Sequence, residues 1–102
     1  MIYQLSYDLK GPDAEYSELY DAINAIGDSL RILGSTWLVD SCRNAEQITD
    51  ELSSKIKPGD RFFVSQVNRG QYNGWHSKNT WEWISTHLNN NSTGGLATSS
   101  SL

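Results

Sequence analysis

The chain has 102 residues, 11% of them aromatic, with twelve acidic against eight basic side chains and a net charge of −4. This length fits one domain with a modest apolar core, and the single cysteine, Cys42, excludes an internal disulfide. The acidic balance excludes the general pull on a phosphate backbone that marks basic nucleic-acid binders, so a polyanion must meet a local basic patch or a cation.

No stretch reads as a signal sequence or as a membrane span of about 20 apolar residues, so a reducing cytoplasm without membrane contact is expected. Residues 2–8 alternate strictly, with Tyr3, Leu5 and Tyr7 on one side and Gln4, Ser6 and Asp8 on the other, which predicts a half-buried strand. Gly11-Pro12-Asp13 then supplies turn and helix-start chemistry. Tyr16, Leu19, Tyr20, Ile23 and Ile26 form one helical stripe, and Gly27 stands where a left-handed terminator is expected. Two β-prone runs, Leu30 to Leu33 and Thr36 to Val39, flank a bend at Gly34-Ser35. Asn44 and Gln47 have the spacing of a capping box, and Ala45, Ile48, Leu52 and Ile56 predict a second helix that stops before Lys57-Pro58-Gly59.

A last strand follows over Phe62 to Val67, then a loop rich in glycine and asparagine that carries Tyr72 and Trp75. Ser77 is placed to cap a short third helix through Leu88, with Trp81, Ile84 and Leu88 inward and Trp83 on another face. The order strand, helix, strand, strand, helix, strand predicts an α+β domain of the ferredoxin-like kind over residues 1–88, with a four-stranded antiparallel sheet. Residues 89–102, rich in Asn, Ser, Thr and Gly, are expected to be a flexible polar tail.

Asp8, at the mouth of the first strand, is the main candidate for chemistry. A carboxylate there binds a divalent cation, Mg²⁺ or Mn²⁺, or instead accepts backbone N–H bonds from the turn at 9–13. One carboxylate is a weak site, which two copies across a dimer axis would strengthen. Tyr7, Arg31, Ser35 and Thr36 are candidate phosphate or substrate binders, and each also has an ordinary structural use. His76 is a candidate acid, base or substrate contact, or faces water or caps a helix. Trp75, with Tyr72, Trp81 and Trp83, would stack on a nucleobase, cover the open face of the sheet or pack between subunits. His87, in the last turn of the third helix, suits the negative end of its dipole.

The run Met1-Ile2-Tyr3-Gln4-Leu5-Ser6-Tyr7-Asp8 resembles the first strand of the second CRISPR-associated (Cas) protein family. Arg31-Ile32-Leu33-Gly34-Ser35-Thr36-Trp37 is similar to that family's middle strand. The start, the Ser-Thr-Trp strand, Gly74-Trp75 and Trp81-Glu82-Trp83 also resemble small bacterial and phage proteins labelled "SinR family". The resemblance implies a homodimer in which Asp8 binds a metal for phosphodiester hydrolysis. Leu33 and Leu38 replace polar residues of the family pattern.

The function expected is therefore a homodimeric phosphodiester-binding protein, acting as a metal-dependent nuclease or phosphodiesterase on RNA, DNA, a single strand or a small cyclic nucleotide. The alternative is a non-catalytic protein- or nucleotide-binding module of a phage-defence or toxin-antitoxin system.

Overall fold

The computed structural model describes residues 1–91; the remainder of the predicted tail lies outside the described residues. Its elements are β1 (Ile2–Asp8), a 3₁₀ turn (Asp13–Tyr16), α1 (Ser17–Ile26), β2 (Asp28–Leu33), β3 (Thr36–Asp40), α2 (Ala45–Ser53), β4 (Arg61–Val67) and α3 (Lys78–Asn91). The four strands lie in the order β2-β3-β1-β4, every neighbouring pair antiparallel. Two βαβ units, each split by a strand of the other, give the ferredoxin-like arrangement predicted from the element order, with α3 added at its end.

The period-two pattern of β1 decides what each side of the sheet carries. Tyr3 and Leu5, with Trp37 and Val39 of β3, turn toward α1 and α2 and meet Tyr16, Leu19, Ile23, Ile48 and Leu52 in the main core. Burying each large aliphatic side chain there is worth about 1.5–3 kcal/mol. A smaller cluster lies on the other side, where Ile2 and Leu38 pack beneath Ile84 and Leu88 of α3, with Trp81 and Trp83 against it. Trp83, expected on another face of the helix, therefore joins the same cluster.

The predicted capping box is present at α2: the Asn44 side chain accepts from the Gln47 N–H at 2.8 Å, and the Gln47 side chain accepts from the Asn44 N–H at 2.9 Å. This helix ends at Ser53, and Ile56 still packs on the core from the following turn. Gly27 is extended, with φ 173°, and is not a left-handed terminator. Its role is close approach, because a Cβ there would stand 2.0 Å from the Asp40 carbonyl oxygen.

Candidate functional site

The second side of the sheet is only partly covered. Strand register sets Asp28, Asp40, Ile2 and Val67 in one row across the sheet, Leu30, Leu38, Gln4 and Ser65 in the next, and Leu33, Thr36, Ser6 and Phe63 in a third. Ile2, Leu38 and Val67 lie beneath α3, whereas Leu33 and Phe63 in the third row are 57% and 70% exposed. Between them Gln4 donates to Ser6 Oγ at 3.0 Å, and the Ser6 and Thr36 hydroxyls share a bond of 3.3 Å. The open half is thus a polar strip with apolar ends.

Where the covered and open halves meet, the sheet, α3 and the loop 68–77 enclose a cavity of about 280 Å³. Gln4, Thr36 and Leu38 form its floor, Tyr72, Trp75 and His76 come from the loop, and Trp81 and Ile84 from α3. Among the described residues no Asp, Glu, Lys or Arg lines it. Trp75 is 100% exposed, an unusual position for the largest apolar side chain.

The loop is held by His76. The β2–β3 register shifts between Arg31 and Leu33, and His76 Nε2 donates to the carbonyl of Ile32 inside that bulge. Nδ1 accepts from the Ser77 N–H at 2.9 Å, so the Nε2–H tautomer is the one that serves both bonds. The His76 carbonyl in turn accepts from Trp81 Nε1 at 3.1 Å, and Ser77 caps α3 through the Thr80 N–H. His76 is therefore a clamp between edge strand, loop and helix. Trp75, the preceding residue, is projected outward by that clamp.

Asp8 ends β1 on the open side, directly opposite Arg61 of β4. Its Oδ2 lies 3.0 Å from Arg61 Nη2 and 3.8 Å from Lys10 Nζ, and 59% of its side chain is exposed. The N–H groups of the following turn go elsewhere: Lys10 N–H donates to Asp60, and Gly11 N–H to the Tyr16 hydroxyl. Asp8 thus accepts neither the Lys10 nor the Gly11 N–H, and pairs instead with the Lys10 side chain and, across the strands, with Arg61. Among the described residues no group of three or more His, Cys, Asp or Glu side chains stands together to hold a metal. The donors of one chain at Asp8 amount to a single carboxylate already facing two cations, which falls short of a divalent-cation site.

Of the other candidates, Thr36, Trp75 and His76 meet at the cavity. Tyr7 faces the α1 side, where its hydroxyl accepts from Trp37 Nε1 at 3.0 Å. Arg31 lies over the rings of Tyr20 and Trp37 at 5.0 and 5.6 Å, donates to the Gly34 carbonyl and pairs with Asp13 at 3.6 Å. Burial works against its charge, yet Tyr7, Asp13 and Tyr20 hold its pKa above the ordinary arginine value. The neighbouring Tyr20 hydroxyl is pushed up by burial and by its bond to Asp13. Ser35 contributes a carbonyl that accepts from the Tyr7 N–H at 3.1 Å. These three are not brought to the cavity.

Sequence reading did not single out Gln4, Lys10 or Arg61. The alternation of β1 already sets Gln4 on the side of Asp8, while Arg61 becomes relevant only through strand pairing 53 residues away. No family model matches the chain, and no curated protein matches it.

Proposed function

We propose that the chain is a non-catalytic module that binds a nucleotide or a short single-stranded nucleic acid on the second side of its sheet. One base enters the cavity against Tyr72 and Trp75, and the phosphodiester lies over the open strip toward Arg61 and Lys10. The observation that carries this reading is the fully exposed Trp75 at the rim of an uncharged, aromatic-lined cavity. Its volume of about 280 Å³ is at the small end of ligand pockets and suits a single planar ring system. Stacking on an aromatic is worth about 1–3 kcal/mol per base and tolerates any sequence. The amides and hydroxyls of Gln4 and Thr36 supply hydrogen-bonding groups for the edge of a base.

A second reading, metal-dependent phosphodiester hydrolysis by a homodimer, is supported by Asp8 lying on the same open side as the exposed Phe63 and Leu33, whose burial would favour pairing two copies. One substitution separates the two. Asp8→Asn removes a negative charge beside Arg61, so the binding module keeps or gains affinity for a dinucleotide, measured by tryptophan fluorescence. The hydrolase reading requires Mg²⁺-dependent turnover in the wild type and its loss in Asp8→Asn. Trp75→Ala is expected to weaken dinucleotide binding about tenfold. Unchanged affinity in that variant would refute the proposed site.

A further inference from the structure

At the far end of α3 from the cavity, His87 is 14% exposed and its ring stacks on Trp83 with centroids 3.8 Å apart. Its Nε2 lies 2.6 Å from Asp28 Oδ2, and its Nδ1 lies 2.7 Å from the Trp83 carbonyl oxygen. Both of these oxygens are acceptors. A neutral imidazole has one N–H and one lone pair, so in either tautomer it would set a lone pair against an oxygen. The imidazolium alone donates to both, and its charge also suits the face of the Trp83 ring.

The surroundings favour that charge. Asp28 of β2 and Asp40 of β3 are direct cross-strand partners, a like-charge pair beneath the helix. Asp40 lies 3.3 Å from the Met1 amino group, and Asp28 takes His87. The charged group facing this end of α3 from the loop after β4 is Arg69, which donates to Asn89 Oδ1 at 3.4 Å. Burial lowers the tendency of His87 to hold its proton, but its bonds to Asp28 and Trp83, with the charge of Asp40 beyond, leave its pKa above the ordinary 6.5.

We propose that protonated His87 is a pin that fixes the last turns of α3 to the sheet, and that its deprotonation loosens the helix that walls the ligand cavity. Ile84, one turn before His87, and Trp81, two turns before it, both line that cavity. The pin therefore regulates the site proposed above, and its effect on ligand rests on that reading. The direction follows from the raised pKa: the stabilisation is complete below the unfolded histidine value and is lost as pH rises through the folded one. The proton released goes to solvent, leaving the Asp28 and Asp40 carboxylates opposed beneath an uncharged ring.

The test follows the His87 ring by NMR from pH 5 to 9, with amide exchange of α3 and binding of a dinucleoside monophosphate, whose phosphodiester does not titrate in this range. Wild type should titrate above 6.5, with protection of residues 84–88 and dinucleotide affinity both falling several-fold through the same midpoint. Asp28→Asn should move that midpoint down. His87→Gln, which keeps a donor for Asp28 but no charge, should show protection of residues 84–88, relative to intrinsic exchange, and dinucleotide binding that do not follow this midpoint. A midpoint at or below 6.5, or α3 protection that ignores it, would overturn the pin. If the dinucleotide binds at no pH while ring and helix titrate together, the pin stands and the ligand reading falls.

Discussion

Asp60 is a buried carboxylate that ties together two turns far apart in sequence. It accepts from the Lys10 and Lys57 N–H groups at 2.8 Å each, and the Tyr16 hydroxyl lies 3.0 and 2.9 Å from its two oxygens. Burial alone would raise its pKa, but these donors hold it below the ordinary 3.8. A depressed carboxylate stabilises the fold above its unfolded value, and that contribution disappears as pH falls through the folded one. Asp60→Asn should therefore lower the melting temperature at pH 7 and flatten the loss of stability below pH 4, read by thermal melts across pH. The anchor also takes up the Lys10 N–H, which is then not offered to Asp8, whose outward direction is set by the phase of β1. Gly27 is a second position where one residue decides the structure. Gly27→Ala would drive a methyl into the Asp40 carbonyl, and since that oxygen belongs to backbone, a loss of about 3 kcal/mol or more is expected in urea denaturation, in the range of severe single substitutions.

At the scale of elements, much was legible because the signals are local. The alternation of β1, the stripe of α1, the Asn44–Gln47 box and the Ser77 cap act within a few residues, and the structure has each of them. Asn44→Ala removes one side of the box and should cost about 1 kcal/mol of stability by denaturant titration. What could not be read locally is the loop 68–77, whose conformation depends on a bond from His76 to Ile32, 44 residues away. Nothing in the neighbourhood of His76 signals that a bulge in an edge strand will offer it a carbonyl. His76→Ala should therefore leave the helices intact by far-UV circular dichroism while increasing amide exchange in the loop and weakening dinucleotide binding as strongly as Trp75→Ala.

For the whole molecule, charge and topology set the terms of recognition. Net charge is −4, so affinity from long-range attraction is small, and among the described residues the basic groups at the open strip amount to Arg61 and Lys10 around one Asp8. Dinucleotide binding should accordingly fall only gently with salt, with a log–log slope no steeper than about −0.7, the value for the one phosphate that a dinucleoside monophosphate carries. The cavity gathers residues from β1, β2, β3, β4, the loop and α3. The aromatics of the late loop were visible in sequence as candidates, but their meeting with Gln4 and Thr36 is a product of the sheet order. Arg31, Ser35 and Tyr7 looked equally suitable as isolated residue types, and strand phase and the bend at Gly34 take them away from it.

The bulge at Ile32 has a consequence beyond the cavity. A sheet ordered β2-β3-β1-β4 has two margins along which a foreign strand could add. On the β2 margin the broken register and the imidazole lodged on its carbonyl interrupt the template such an addition would copy. The β4 margin, seven residues long and without a bulge among its pairings, is left as the side on which fibril-like growth would begin, with Arg61 as its charged deterrent.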